Sequence, residues 1–431
     1  MTYSQALKYL DSFINYEKIG SYSAEAFFKL ERIERLLKAL GNPHKDFTPV
    51  HIAGTKGKGS ACAFLHSILK AAGKKAGLYT SPHLVDFRER IRIEELISKK
   101  HVCELIGEIQ PHAQKLRKDP ELGELSFFEV YTALAFLYFA KKKIEYAVIE
   151  TGLGGRLDAT NIVNAKAAGI TQISHDHMQQ LGADLGSIAR EKAGIIKTKA
   201  RVVSARQVSE VEDILDAACR AKKAKLYKVG SDLTYNRIAQ SLNGQIFNLN
   251  GIGKTYLNLK IKLLGSHQIE NAAIAVALSE LLGVNKETDI RKGLEAASWP
   301  GRFDIVCEKP LVILDGAQNA ASARALRSAI QEIFPDKKFI LVFGVSADKD
   351  ASAIAKELFP LVSRVFLTRA NSPRALEPKE LADRLGAFSQ KVCLKDSVKQ
   401  AIKDAKAISN GDAVLVTGSL YIVGEAMDYL K

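Results

Sequence analysis

The stretch Gly54-Thr55-Lys56-Gly57-Lys58-Gly59-Ser60 decides the fold class because of what lies on either side of it. Before it, the apolar run Val50–Ala53 has the character of a short buried strand, and after it Ala61–Ala72 has the apolar spacing of a helix. A strand, a glycine-rich turn and a helix in this order form the βα unit typical of nucleotide-binding α/β proteins.

The chemistry of this loop supports a phosphate-binding role. Glycines allow successive backbone N–H groups to converge on phosphate oxygens, and the helix that follows adds its positive N-terminal end. Lys58 could neutralise phosphate charge as a catalytic group, and Ser60 could reach a bound Mg²⁺. However, Gly59 separates the Lys from the Ser, so the common GxxxxGK[ST] spacing is broken and a flexible surface loop remains an alternative. The predicted nucleotide-binding residues here are Gly54, Thr55, Gly57, Lys58, Gly59 and Ser60.

The rest of the chain continues this alternation of strands and helices. We expect an N-terminal P-loop nucleotide-binding domain over residues 1–299, with a mainly parallel sheet and a small β excursion between Ser231 and Lys262. The pair Pro300-Gly301 would break any helix and suggests a hinge. After it, five apolar runs indicate a C-terminal Rossmann-like α/β domain over residues 300–431: Leu311–Leu314, Phe339–Phe343, Arg364–Thr368, Lys391–Leu394 and Ala413–Thr417.

Composition narrows the class of protein but not its ligand. Hydrophobic residues make up 47% and charged residues 26%, which excludes a largely disordered or fibrous chain. The charge of 62 Lys+Arg minus 48 Asp+Glu is +14, which favours anionic partners.

The five cysteines are widely spaced, and the first residues do not resemble a secretory signal, so a cytoplasmic location is expected. Uncharged apolar runs stay well below the ~18–20 residues that cross a bilayer, so no membrane association is expected.

Further motifs follow the loop in a specific order. They are Thr80-Ser81-Pro82-His83-Leu84, Ser126–Glu129, Glu150–Asn161, His175-Asp176-His177, Glu191–Ile195, Gly265–Gln268 with Asn271, Trp299–Arg302 and Asp315–Asn319. Together with the GxxGKGS loop, this series resembles the folylpolyglutamate synthase/dihydrofolate synthase family of the Mur ligase superfamily. The resemblance extends from about Phe28 to Gly424.

The resemblance implies a reaction in which ATP drives the addition of L-glutamate to a carboxylate. The γ-phosphate would pass to the carboxylate of dihydropteroate or to the γ-carboxylate of a folate. The glutamate amine would then attack this acyl phosphate, leaving ADP and phosphate. The resemblance also implies two Mg²⁺ ions as cofactors, and we expect a monomer with no nucleic-acid partner.

The resemblance assigns a metal site and a modified lysine. It implies that Ser81, Glu150 and His177 ligate Mg²⁺, with Ser60 helping from the loop, and that His177 and Lys192 belong to the catalytic group with Lys58. In the family, the lysine that matches Lys192 is commonly carbamoylated, which turns an ammonium into an anionic oxygen ligand. From the residues alone, Lys192 could equally be an ordinary helical lysine before a glycine C-cap.

The resemblance also assigns substrate contacts. Around the pterin it places Ser126, Phe127, Leu157, Asp158 and Ala159, although Phe127 could instead belong to the apolar core. Around the nucleotide it places Asn271, for adenine, together with Arg302 and Asp315, which could alternatively form a structural ion pair.

Two positions depart from the family pattern. Lys29 replaces a usual glycine, and Gln318 replaces a usual histidine and cannot carry a proton at neutral pH.

Other functions remain as alternatives. A muropeptide ligase would need an additional domain before Gly54. The basic charge leaves a P-loop nucleic-acid-dependent ATPase as an alternative from another class. Within the family, a folylpolyglutamate synthase without dihydrofolate synthase activity is the main alternative.

Overall fold

The computed structural model describes residues 1–19, 29–119, 123–182, 184–386 and 392–431. They form three sheets covered by helices, so the predicted α/β class with mainly parallel sheets is confirmed. The strands are β1 (Thr48–Ala53), β2 (Ala76–Tyr79), β3 (Ile91–Arg92), β4 (Tyr146–Glu150), β5 (Ala167–Ile170), β6 (Arg201–Ser204), β7 (Lys225–Lys228), β8 (Thr234–Ser241), β9 (Gly244–Asn250), β10 (Thr255–Ile261), β11 (Asp304–Glu308), β12 (Leu311–Leu314), β13 (Phe339–Phe343), β14 (Val362–Leu367), β15 (Val392–Leu394) and β16 (Ala413–Thr417).

The helices lie mostly between these strands. They are α1 (Tyr3–Asp11), α2 (Leu30–Ala39), α3 (Lys58–Ala71), α4 (Lys99–Leu116), α5 (Phe127–Lys141), α6 (Met178–Leu181), α7 (Leu185–Ala193), α8 (Ser209–Ala221), α9 (Ser266–Leu281), α10 (Glu287–Ala296), α11 (Ala320–Ile333), α12 (Ala351–Leu358), α13 (Pro378–Leu385), α14 (Val398–Ala407) and α15 (Leu420–Leu430). None of the helices in these described ranges is long and apolar enough to cross a membrane.

The first sheet has seven strands in the order β3-β2-β4-β1-β5-β6-β7, and only the pairing of β3 with β2 is antiparallel. The strand β1 lies between β4 and β5, and helices cover both faces of the sheet. This explains why Val50, Ile52 and Ala53 are all apolar and why the imidazole of His51 between them is also buried. The direction in which successive strands are added to the sheet also reverses beside β1. Open α/β sheets bind their ligands at such a reversal point, outside the carboxyl ends of the strands.

The small β excursion is confirmed as an antiparallel sheet in the order β10-β9-β8. Its inward residues, including Phe247, Leu249, Tyr256 and Leu259, pack in the same core as α3 and α9. This sheet therefore covers helix α9 from the side away from the first sheet.

The third sheet has six strands in the order β11-β12-β16-β13-β14-β15, one more than predicted. The additional strand β11 pairs antiparallel at the edge and is only half-buried, so it lacks the apolar run by which the others are recognised. The predicted strand at Lys391–Leu394 is observed from Val392, and Lys391 lies outside the described residues. All strands of the third sheet follow Pro300, while the exact division at residues 299 and 300 stays a prediction.

Candidate active site

The predicted phosphate loop leads from β1 into the first residue of α3 and lines a cavity of about 220 Å³. All six predicted loop residues line this cavity, which we call the phosphate-side cavity. Gly57 precedes the helix with φ of 89°, and no side chain caps the helix start. The first backbone N–H groups of α3 are therefore available to an anion.

Two glycines in the loop allow close approach by other elements. A Cβ on Gly57 would lie 2.3 Å from Oδ1 of Asn271 on α9, and one on Gly59 would lie 2.8 Å from Nε1 of Trp299. The glycine that breaks the common spacing is thus needed because an indole ring packs against it. The loop and Asn271, the residue predicted to read adenine, are in direct proximity.

The other predicted nucleotide residues come from beyond Pro300 and also line the phosphate-side cavity. Arg302 and Asp315 do not form the direct ion pair that the sequence left open. The guanidinium of Arg302 donates to the carbonyl of Gly301 at 2.9 Å. Asp315 instead accepts from the backbone N–H groups of Phe303 and Ala317, at 2.8 and 2.9 Å.

A second cavity, of about 170 Å³, contains four of the five residues predicted to bind pterin, namely Ser126, Leu157, Asp158 and Ala159. We call it the pterin-side cavity. Asp158 is buried, which raises its pKa, and its carboxylate accepts from the N–H groups of Leu153 at 2.8 Å and Thr160 at 3.0 Å. The loop is therefore folded around this carboxylate, which still contributes to the cavity wall.

The fifth residue, Phe127, does not line this cavity. It packs in the core, where its ring stacks on Tyr131 with centroids 5.5 Å apart, and the neighbouring Phe128 lines the cavity instead. Successive residues of a helix point about 100° apart, so only one of the two rings can face the cavity. The expectation that Phe127 contacts pterin is replaced here by its alternative, an apolar core role.

The two cavities meet at Ser81, His177 and Gln318, which line both. Glu150 ends β4 beside this junction and is only 5% exposed. Its Oε2 accepts from the backbone N–H of Ser81 at 3.2 Å, and its Oε1 lies 3.8 Å from Nζ of Lys58. Thus the predicted metal ligands and the loop lysine lie together where the phosphate and pterin sides join.

The donor set at the junction is suitable for Mg²⁺. Burial lowers the pKa of His177 to about 3, so its imidazole is neutral and has a lone pair available for a metal. Across the described ranges, no group of three or more His, Cys, Asp and Glu side chains could hold a metal ion. Mg²⁺ does not require such a group, because it commonly binds one or two carboxylates together with water and substrate phosphates. Glu150 with the hydroxyl groups of Ser81 and Ser60 fits that pattern.

Lys192 lies on α7, is 4% exposed, and lines the phosphate-side cavity. Its Nζ donates to the carbonyl of Gly54 at 2.8 Å, so the lysine contacts the phosphate loop directly. Burial, assisted by the nearby charge of Lys58, lowers its pKa to about 7. A substantial fraction of the amine is therefore neutral at physiological pH, as carbamoylation requires.

The sequence assigned no role to Asp176, although it is the centre of a buried polar cluster. Its carboxylate accepts from Nζ of Lys56 at 2.9 Å, Nζ of Lys349 at 2.8 Å and Nδ2 of Asn319 at 3.2 Å. The motifs that contain Lys56, Asp176 and Asn319 are visible in the sequence, but nothing in their spacing indicates that they meet one another or Lys349. Lys29 lines the pterin-side cavity, whereas its neighbour Phe28 lies outside the described residues.

The fold and the site define an ATP-dependent ligase of the Mur ligase class. Residues 52–279 match the Mur ligase middle domain, and residues 301–420 match the Mur ligase glutamate ligase domain. The dihydrofolate synthase/folylpolyglutamate synthase of Bacillus subtilis is 35% identical over 414 residues, which cover 93% of this chain and 95% of that protein. The enzyme of the same name from Escherichia coli is 33% identical, with coverage of 99% and 96%.

Solved structures agree with these relatives. The folylpolyglutamate synthase of Mycobacterium tuberculosis, complexed with ADP and AMPPCP, superposes with a TM-score of 0.91 at 33% identity, covering 99% of this chain and 97% of that one. A complex of folylpolyglutamate synthase with AMPPCP and folate has a TM-score of 0.86 at 28% identity, covering all of both chains. The chain belongs to the folylpolyglutamate synthase/dihydrofolate synthase family.

Proposed function

We propose that this ligase joins L-glutamate to dihydropteroate and to the γ-carboxylate of folates, with ATP converted to ADP and phosphate. The observation that carries the proposal is the meeting of the two cavities at Ser81, His177 and Gln318. A carboxylate that enters from the pterin side would meet the terminal phosphate of ATP at this junction. The relatives named above, and the complex with AMPPCP and folate, support both ligands.

The first chemical step requires two anions to approach each other. Backbone N–H groups of the phosphate loop and Nζ of Lys58 would bind and neutralise the phosphates, which stabilises the charge of the transition state. Glu150, Ser81 and His177, with Ser60, would hold Mg²⁺, which when bound screens the phosphate oxygens. The walls of the junction would hold the acceptor carboxylate close to the terminal phosphate.

Lys192 is proposed to act as its carbamate, which would supply an anionic oxygen for a second Mg²⁺. The depressed pKa and the contact with Gly54 support this, because a neutral amine beside the phosphate loop can react with CO₂ and then face the nucleotide. Gln318 at the junction can donate and accept hydrogen bonds, but it cannot take the proton from the attacking amine.

Pterin recognition is proposed for Asp158, with its buried carboxylate in the cavity wall, and for Phe128, whose ring lines the same cavity. Asn271, Arg302 and Asp315 are proposed as nucleotide contacts from α9 and from the segment after Pro300. We further propose a cytoplasmic monomer. All five cysteines are free thiols, which fits a reducing compartment.

Phosphate release tests the function directly. It should require L-glutamate together with dihydropteroate or tetrahydrofolate, each supplied separately, and product masses should increase by one glutamate per turnover. Activity with tetrahydrofolate alone would identify a folylpolyglutamate synthase without dihydrofolate synthase activity. Phosphate release that responds only to added nucleic acid would reject the proposal in favour of a nucleic-acid-dependent ATPase.

A further inference from the structure

The segment from Asn15 to Ile19 forms one wall of the pterin-side cavity, through Asn15, Tyr16, Glu17 and Ile19. It contains a single 3-10 turn, Tyr16–Lys18, and is not part of any sheet. A turn this short has little stability of its own, so the contacts at its ends and side chains decide whether the wall is ordered.

One of these contacts lies within the N-terminal half of the chain. The carboxylate of Glu17 accepts from both terminal nitrogens of Arg90, at 2.7 and 2.6 Å. The Arg90 guanidinium is fully buried and lies 5.7 Å from the ring centroids of both Phe127 and Tyr131. A bidentate pair on such a rigid support holds the side chain of Glu17 firmly.

The other contact comes from the C-terminal half. Nη1 of Arg374 donates to the backbone carbonyl of Glu17 at 3.1 Å, and Nη2 lies 2.6 Å from Oδ1 of Asp348. The Arg374 side chain is 16% exposed and itself lines the pterin-side cavity. Asp348 orients the guanidinium, so Arg374 holds the backbone of the turn while Arg90 holds the Glu17 side chain.

We propose that Arg374 is a positioning residue that completes the pterin-side cavity by fastening the Asn15–Ile19 turn to the C-terminal half. Arg90 holds the turn through the side chain of Glu17. With Arg374 added, its backbone is held too, and the cavity gains its full wall only when the two halves of the chain are docked. This role rests on the proposed function and concerns affinity for the pterin substrate, not the phosphate chemistry.

The test compares Arg374→Gln with Arg369→Gln, whose guanidinium lies in the same loop region and pairs with Glu377 at the surface. Loss of a charged hydrogen bond to the turn should raise the KM for dihydropteroate about tenfold, with kcat and the KM for ATP within twofold of the wild type. Backbone amides of residues 16–19 should exchange hydrogen faster in Arg374→Gln. Arg374→Lys, which keeps one charged donor, should recover part of both effects, and Arg369→Gln should show neither.

Either of two results would overturn this role for Arg374. One is an unchanged KM for dihydropteroate together with unchanged amide exchange. The other is a lower kcat and a lower Tm, with KM values that change equally for all substrates. This result would indicate a general folding defect. If the wild-type enzyme releases no phosphate with glutamate and either dihydropteroate or tetrahydrofolate, the proposed function fails, while the exchange measurement still decides whether Arg374 orders the turn.

Discussion

The ammonium group of Lys349 lies 2.8 Å from Oδ1 of Asp176, 173 positions away in the chain, and joins the C-terminal half of the enzyme to the metal-site motif. The other oxygen, Oδ2, lies 2.9 Å from Nζ of Lys56 in the phosphate loop. Lys56 lines the phosphate-side cavity and Lys349 lines the pterin-side cavity. Asp176 therefore orients one cation toward each substrate site.

Asp176→Asn removes the charge that both lysines share while keeping the side-chain size. We expect the free energy of unfolding to fall by about 3 kcal/mol, because the largely buried ammonium of Lys56 loses its counter-ion and that of Lys349 keeps only the longer pair with Asp348, at 3.4 Å. We also expect kcat/KM to fall at least tenfold. Urea unfolding and steady-state kinetics measure the two effects, and the surface variant Asp404→Asn is the control. Wild-type kinetics in Asp176→Asn would show that this ion-pair cluster is not needed to orient the site.

Lys192→Ala should abolish most of the activity, and short-chain carboxylic acids should restore part of it. An added acid can place an oxygen where the carbamate would be, since the cavity left by the side chain opens beside the phosphate loop. Phosphate release with and without added acetate or propionate measures the effect. Full activity of the unsupplemented variant would reject the catalytic role, and Lys166→Ala, at an exposed lysine that donates to Thr198, provides the comparison.

Gly57→Ala should raise the KM for ATP, because the new Cβ would lie 2.3 Å from Oδ1 of Asn271 and would push the side chain away. Gly73→Ala is a matched control. Gly73 also has a positive φ, of 72°, but a Cβ there would meet nothing within 4 Å. Both variants carry backbone strain of about 1 kcal/mol, so they differ in the close approach to Asn271 and in the position of Gly57 in the phosphate loop. Equal ATP affinity in the two variants would contradict this expectation.

Phe128→Ala should mainly affect substrate binding, whereas Phe127→Ala should mainly affect stability. Phe128→Ala removes a ring from the pterin-side cavity and should raise the KM for dihydropteroate with a modest change in stability. Phe127→Ala leaves a hole in the core and should lower the free energy of unfolding by about 3–5 kcal/mol. Kinetics and urea denaturation of both variants separate the roles, and the reverse pattern would reinstate Phe127 as the pterin contact.

Stability should fall below pH 6.5, in part because of His51. Burial lowers the pKa of His51 to about 3, so the ring stays neutral in the folded chain while the unfolded chain takes up a proton. Its stabilisation is complete above pH 6.5 and is lost as the pH falls toward 3, by about 1.4 kcal/mol per pH unit. His51→Gln should lose about 2 kcal/mol less than the wild type between pH 7 and 5.

Unfolding titrations at the two pH values measure this difference. The Gly73→Ala variant, which changes no titratable group, should lose as much stability as the wild type over the same interval. If His51→Gln also followed the wild type, the buried His51 ring could not be a source of the acid sensitivity.

Elements of the fold could be predicted best from the sequence where one short stretch carries the whole pattern. Buried parallel strands such as β4 and β16 are short apolar runs, and the phosphate loop carries its glycines in sequence. Prediction from the sequence failed at the edge strand β11, because a half-buried antiparallel edge has no such run. It also left the role of Phe127 open between pterin contact and apolar core, because Phe127 and Phe128 are both apolar rings and only the orientation of α5 determines which one faces the cavity.

By itself, the sequence determined the α/β class, the phosphate loop and the ordered motifs that indicate the family, since these are local patterns or series of them. Only the tertiary structure decided that Asp176 joins Lys56 to Lys349. The same is true of the approach of Asn271 to Gly57 and of the hydrogen bond from Arg374 to the backbone of Glu17. These residues are far apart in the chain. Their meeting depends on how sheets and helices pack, which no short stretch of sequence encodes.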